Sequence, residues 1–367
     1  METPEHVVLL TIDALGTLGM ERIDLPALKG LAASGAYCKE CYNLPPATVR
    51  SPLWKDIHDS SPSNPTLVAG TALISADTRL VQQVFWPKQP TVNLANTSFA
   101  SMSRHFTVSI TDGAASDDEI MEWATLMMKQ KKPVYMRIHL QGPGKEARRS
   151  LQTKEDVPWR HDVWAKDSPY RKAIQRAGQL TGEFEESLKE MGLREKTFLV
   201  VTSDHGISSL GRHPEYDPEC WRVPLIMVGP GIKKGALLDY AEGIDIVPTV
   251  CHMLRVDPPN EGGGRILTEA LTQPPAQDPP HERIIKKLDF LLVAFEELYS
   301  SVRPAAATLL QRHQLEMIHS RFHGMQRFPE WPALGTLKGV YEHDQKAYDD
   351  LLSLAREWGV QSASTAQ

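Results

Sequence analysis

Apolar residues along this chain follow two rhythms. Val7 to Ile12, Phe198 to Thr202 and Val223 to Val228 are short continuous apolar runs without period-two alternation, and Val134 to Leu140 reads as another strand. Such runs belong to strands covered on both faces, as in a parallel sheet flanked by helices. Between them the spacing changes to three and four. Ala173, Ala177, Leu180, Phe184, Leu188 and Met191 predict an amphipathic helix over Tyr170 to Met191, closed by Gly192. Ser116 with Glu119 forms a capping box for a helix through Met128. Further helices are predicted over Leu25 to Ser34, behind Asp24 and Pro26, over Leu53 to His58, and from Asp245 to Leu254. Leu80 to Phe85, Thr91 to Leu94 and Phe106 to Ile110 read as short strands or edges. The fold class is α/β, a mostly parallel sheet sandwiched by helices.

The pattern changes near residue 260. Pro258 to Pro280 is rich in proline and glycine, and from His281 onward the chain is helical, with Ile285, Leu288, Leu292 and Phe295 on one stripe and a later helix near Tyr348 to Trp358. This predicts a catalytic domain over 1–270 and a helical C-terminal extension over 281–367, serving as structural cover or as a homo-oligomer contact. The segment Lys145 to Asp167 carries many charges with tryptophan and proline anchors, and reads as an excursion over the site.

Composition removes several classes of function. Of 367 residues 41% are hydrophobic and 23% charged, enough for a large core, and the net charge of −6 without a long basic run argues against a nucleic-acid partner. A small anionic substrate remains compatible, received by local cations or a metal. Met1 to His6 leaves no room for a secretory leader before the first strand, and no apolar run approaches the roughly 20 residues that span a bilayer. The expectation is a cytoplasmic protein with no membrane contact. Cys38, Cys41, Cys220 and Cys251 are too few for a disulfide framework. The Cys38-x-x-Cys41 pair reads as reduced thiols in or beside a strand.

Chemistry gathers where the apolar runs stop. Val7 to Ile12 ends in Asp13 and Phe198 to Thr202 ends in Ser203-Asp204-His205-Gly206. In open α/β sheets the carboxyl ends of strands carry the site. Two carboxylates and an imidazole suit Zn²⁺ or Mn²⁺. Each also has a plainer reading as turn or cap chemistry; their joint occurrence at two buried strand ends favours the metal. Thr48 and Ser51 lie in a proline-bounded loop near a helix start, where hydroxyls either cap the helix or meet an anion. With His213 nearby in sequence, this is the inventory of a metal-assisted nucleophilic hydrolase.

At this point the chain resembles the alkaline phosphatase superfamily, especially its sulfatase-like and phosphodiesterase or phosphonate-hydrolase branches. The matching pieces, in order, are Val7-Val-Leu-Leu-Thr-Ile-Asp-Ala14, Ser203-Asp-His-Gly206 with His213 after it, Trp221-Arg-Val-Pro-Leu-Ile226 running into Gly229-Pro-Gly-Ile232, and Asp245-Ile-Val-Pro-Thr249. The resemblance implies that Asp13, Asp204 and His205 bind the nucleophile-side metal. It implies Thr48 as nucleophile and metal ligand, with Ser51 as the alternative, and Arg50 as the residue that orients the transferred anion. His213 corresponds to the histidine that binds a second metal or assists the leaving group.

The departures are informative. The nucleophile loop has no cysteine, which main-type sulfatases need. Two-zinc members carry Asp-x-x-Gly-His after the strand that here is Val134 to Leu140, whereas this chain reads Gln141-Gly-Pro-Gly-Lys-Glu146. His139 or Glu146 is then the substitute for a second-metal ligand, or the protein uses one metal. The expected activity is hydrolysis of phosphate or phosphonate esters. Phosphoryl transfer to an alcohol, sulfatase-like chemistry, and a turnover-deficient binding protein are the alternatives.

Overall fold

The computed structural model describes residues 3–43, 81–85, 87–96, 105–213, 217–258, 265–275, 284–323 and 337–360. Thr48, Arg50 and Ser51, and the helix predicted over Leu53 to His58, lie outside them. The first unit comprises residues 1–62 with 69–281, and the second 63–68 with 282–367.

In chain order the first unit runs β1 (His6–Ile12), α1 (Thr17–Arg22), α2 (Pro26–Ser34), β2 (Ala36–Tyr42), α3 (Val81–Phe85), β3 (Thr91–Ala95), β4 (Val108–Thr111), α4 (Asp117–Gln130), β5 (Tyr135–Leu140), α5 (Gly142–Gln152), α6 (Pro169–Glu190), β6 (Thr197–Thr202), β7 (Arg222–Val228), β8 (Ala236–Leu238), β9 (Ala241–Glu242) and α7 (Ile246–Leu254). The strands form one sheet in the order β4-β3-β5-β1-β6-β7-β2-β8, with β9 beside β2. Pairing is parallel except where β7 meets β6 and β2.

The unbroken apolar runs have a simple cause. Val8, Leu10 and Ile12 of β1 enter one core with α2, α4 and α6, while Val7 and Leu9 enter a second core with Phe198, Val200 and α7. Both faces are buried, so no position along the strand is left for polar alternation. The helix α6 buries Tyr170, Ile174, Ala177, Leu180, Phe184 and Leu188.

Register then sets the site. Thr11 of β1 is level with His139 of β5 and with Thr202 of β6. Side chains alternate with period two, so Asp13 and Asp204 emerge on the face that carries Thr11, Thr202 and His139, one step beyond the last ladder pairs. The strand β2 is antiparallel to β7, which is antiparallel to β6. Its carboxyl end, Tyr42 and Asn43, therefore reaches the same edge.

Two elements differ from the sequence expectation. Leu80 to Phe85, read as a strand, contains the helix Val81–Phe85, whose Val81, Val84 and Phe85 meet the second core at helical spacing. Gly142-Pro-Gly144, read as a loop, opens α5, because proline is accepted in a first helical turn where its missing N–H has no partner to lose. The excursion thus begins as a helix, and the residues after it are pinned by the Val163 N–H donating to the Ser209 carbonyl at 2.9 Å.

Cys38 and Cys41 lie buried on β2, and burial pushes the Cys38 thiol up to about 12 and the Cys41 thiol well above its ordinary value. A thiol held neutral is a poor nucleophile. The second unit contains helices Ile284–Val302, Leu309–Arg321 and Leu337–Glu357. Phe295 stacks on Phe322 at 3.9 Å between centroids, and Asp289 and Asp344 are buried within it. No described helix is long and apolar enough to cross a membrane.

Candidate metal centre

The turn after β1 is built around one oxygen of Asp204. Asp204 Oδ1 accepts from the Ala14 N–H at 3.2 Å and the His205 N–H at 3.0 Å, and the Ser203 hydroxyl beside it, 3.2 Å away, donates to the His205 carbonyl at 2.8 Å. Ser203 Oγ in turn accepts from the Leu15 N–H at 3.0 Å. With Oδ1 saturated, Oδ2 is the oxygen left for a ligand, and it lies 3.6 Å from His205 Nε2. His205 Nδ1 lies 2.7 Å from the Gly206 carbonyl, which accepts its proton and leaves the lone pair on Nε2. Asn43, at the end of β2, donates to the Ser203 and Asp204 carbonyls at 2.9 and 3.1 Å.

Asp13 sits between two imidazoles. Its Oδ1 is 3.7 Å from His205 Nε2 and its Oδ2 is 3.7 Å from His139 Nε2. Among the described residues, Asp13, His139 and Asp204 form a buried donor cluster with ligand atoms within 4.8 Å of one another. Burial, and then the Asp204 charge, raises the Asp13 carboxyl well above its ordinary value. Burial also acts to raise Asp204, but His205 and His139 outweigh it and hold that carboxyl low. Burial takes the His139 imidazole down to about 4, so it is neutral at physiological pH, the form that ligates.

These donors fit a divalent cation. Two carboxylates buried side by side need positive charge, and buried charges are paired or bind metals. Ligands about 2.1 Å from a tetrahedral ion lie roughly 3.4 Å apart, close to the 3.6 and 3.7 Å separations of His205 Nε2 from the two carboxylates. Mixed oxygen and imidazole donors suit Zn²⁺ or Mn²⁺.

The structure thus brings Asp13, Asp204 and His205 together and adds His139. Its signal in the sequence was position: the penultimate residue of a buried strand, level with Thr11. His213 stacks on His205, with ring centroids 4.0 Å apart. Glu146, the other substitute ligand considered from sequence, pairs with Arg149 at 3.3 Å. Gln141 and Lys145 stand where the Asp and His of the two-zinc element would fall. The Gln141 N–H donates to Asn96 Oδ1 at 2.7 Å, and Lys145 Nζ donates to the Gly113 carbonyl at 2.8 Å. Gly144 faces the Asp13 carboxylate so closely that a β-carbon there would overlap it. Asn43 and Tyr170 carry no motif, and Ser203 belongs to the Ser203-Asp-His-Gly206 motif without a role that its sequence context assigns.

The Sulfatase family model matches residues 74–256, a stretch that holds His139, Asp204, His205 and His213. Among curated proteins the chain is similar to low-salt glycan biosynthesis sulfotransferase Agl7 of Haloferax volcanii, 33% identical over 90 residues, 22% of each chain. It is similar to arylsulfatase K of Mus musculus, 33% identical over 95 residues, 24% of this chain and 17% of that one. It is also similar to the multifunctional alkaline phosphatase superfamily protein PehA of Trinickia caryophylli, 30% identical over 124 residues, 32% and 24%. The matched stretches span about a quarter or less of these relatives. Murine ectonucleotide pyrophosphatase/phosphodiesterase 5 shares the fold at TM-score 0.55 and 12% identity over 72% of this chain and 97% of that one. Lipoteichoic acid synthase LtaP from Listeria monocytogenes shares it at 0.54 and 16%, over 69% and 72%. Ordered motifs, sheet topology and these matches lead to one family: the chain belongs to the alkaline phosphatase superfamily, in its sulfatase-like branch.

Proposed function

We propose that this protein is a metal-dependent hydrolase of phosphate, phosphonate or sulfate esters that works with a single divalent ion. The observation that carries the reading is the convergence of Asp13, Asp204 Oδ2 and His205 Nε2 at the carboxyl edge of the sheet. A divalent ion held there lowers the pKa of a coordinated hydroxyl and neutralises charge developing on the transferred group.

The chain's own residues set up the rest. Asp204 and His205 present one donor atom each because their other polar atoms are committed to the backbone. Neutral His139 takes Asp13 from the other side. Thr48, the nucleophile in this reading, is five residues beyond Asn43, a distance of at most about 17 Å of extended chain. Asn43 is itself bonded to the Asp204 carbonyl, so the described chain leading to Thr48 ends at the site. Ser51 is the alternative nucleophile, Arg50 receives the transferred anion, and His213, stacked against His205, is placed to assist the leaving group.

The single-metal part rests on Gln141 and Lys145 standing in place of the second metal's ligands, with the Lys145 ammonium donating to the Gly113 carbonyl. Transfer to an alcohol instead of water is the second reading, supported by the similarity to a sulfotransferase and to lipoteichoic acid synthase 2 of Bacillus subtilis. A panel of aryl phosphate mono- and diesters, phosphonate esters and sulfate esters, assayed with Zn²⁺, Mn²⁺ and Mg²⁺, separates these. The expected result is metal-dependent turnover of at least one ester, abolished in Thr48→Ala with metal binding retained. Product carrying an added glycerol group would identify transfer. Full activity in both Thr48→Ala and Ser51→Ala, or no divalent metal bound, would refute the proposal.

A further inference from the structure

Ala14, the residue between Asp13 and the rest of the turn, has φ of +63°, a left-handed conformation that side chains with a β-carbon rarely adopt. The turn it makes begins at the Ala14 N–H, which donates to Asp204 Oδ1, and redirects the chain after it. Adopting it turns the Ala14 carbonyl inward, where it accepts from the Gly16 N–H at 3.1 Å and from the Tyr170 hydroxyl at 2.9 Å. Tyr170 is 156 residues away, fully buried in the first turn of α6. Its ring is held edge-on by Trp164 at 5.5 Å, and Arg22 lies 5.1 Å over the Trp164 ring. Arg171 closes this bracket, donating to the Trp164 and Arg22 carbonyls at 3.3 and 3.2 Å.

We propose that Tyr170 is a positioning residue for the metal centre: its hydroxyl holds Ala14 in the left-handed turn, and thereby fixes Asp204 Oδ2 and Asp13 in ligating orientation before any ion arrives. The inference rests on the single-metal reading above. The Tyr170 hydroxyl reaches the ligand turn through its hydrogen bond to the Ala14 carbonyl. The same bracket ties the ligand turn to Trp164, in the segment between α5 and α6, so that a residue outside the metal cluster governs its geometry.

The test is metal affinity of the metal-stripped full-length chain, measured by competition of Zn²⁺ and Mn²⁺ against a chelating dye. Tyr170→Phe removes the hydroxyl and keeps the ring. Affinity is expected to fall about 10- to 100-fold, the range for losing a residue that orients a ligand. The comparison variant is Thr181→Val, which removes another buried hydroxyl of α6, bonded at 2.8 Å to the Ala177 carbonyl. It is expected to lower the melting temperature and leave affinity within twofold of the wild type. Tyr170→Phe binding within twofold of the wild type, or Thr181→Val losing as much, overturns the proposal. Hydrogen exchange of the metal-free wild type gives a check that needs no variant: the Ala14 and Leu15 amides should be as protected as those of β1. Fast exchange there until metal is added would also overturn it. A wild-type chain that binds no ion removes the underlying metal reading as well, an outcome distinct from a wild type that binds and a Tyr170→Phe that binds equally.

Discussion

Replacing Asp204 by asparagine should separate the fold from the metal, because the two oxygens of this carboxylate do different work. The amide oxygen can keep the two backbone hydrogen bonds at Oδ1, from Ala14 and His205, while the amide nitrogen takes the place of Oδ2. Without metal, the substitution also removes a like charge from Asp13, whose carboxyl is raised by burial and then by Asp204. The two carboxylates present oxygens within 4.8 Å of each other, and two full charges about 5 Å apart at an effective dielectric constant of about 20 repel by roughly 3 kcal/mol. That figure is an upper bound, and relaxation of the turn leaves a gain of about 1–2 kcal/mol. For a unit of this size that is a rise in melting temperature of a few degrees, about 2–4 °C per kcal/mol. The assay is thermal unfolding at pH 8 with and without Zn²⁺. Metal-free Asp204→Asn should melt slightly above the metal-free wild type and should lose most of the metal-induced rise. A drop of more than about 5 °C without metal, together with a wild-type response to Zn²⁺, would refute the division of labour between the two oxygens.

Other expectations follow from the same geometry. His139 has a folded pKa of about 4 against an ordinary 6.5, so between those values the unfolded chain binds a proton that the folded one does not. Stability therefore falls as pH drops from 6.5 towards 4, by up to about 3 kcal/mol, and His139→Gln should flatten that limb in urea titrations. The raised carboxyl of Asp13 has the opposite sign: metal-free stability declines as pH rises above the ordinary carboxylate value. Metal binding should accordingly release protons, seen as a dependence of calorimetric heat on buffer ionisation enthalpy. Asn43→Ala leaves the Ser203 and Asp204 carbonyls without their side-chain donor, and should cost about 1–3 kcal/mol and weaken metal binding. Cys38 and Cys41 should react with a thiol reagent only when the chain is unfolded, which a colorimetric thiol titration with and without guanidinium checks.

The parts of this fold legible in sequence are those with a strong period or an abrupt change of chemistry. Phe198 to Thr202 ending in Asp204-His205 announced both a doubly covered strand and a site, because burial on two faces leaves no other pattern. The capping box at Ser116 and the stripe on α6 were equally plain. Elements defined by their surroundings were not. Val81–Phe85 is too short for its period to be told from a strand, and Gly142-Pro-Gly144 uses turn residues to open a helix. His139 required register: only pairing with Thr11 brings it beside Asp13. Tyr170 was legible as a core residue, but its bond to Ala14 depends on a backbone angle that no composition or spacing encodes.

The most direct test of the central claim is anomalous diffraction at the zinc edge from crystals of the full-length chain soaked in Zn²⁺. The account predicts one strong peak per chain within about 2.0–2.2 Å of Asp13, Asp204 Oδ2 and His205 Nε2. No peak among these residues, or a second ion of equal occupancy held at Gln141 and Lys145, would contradict it.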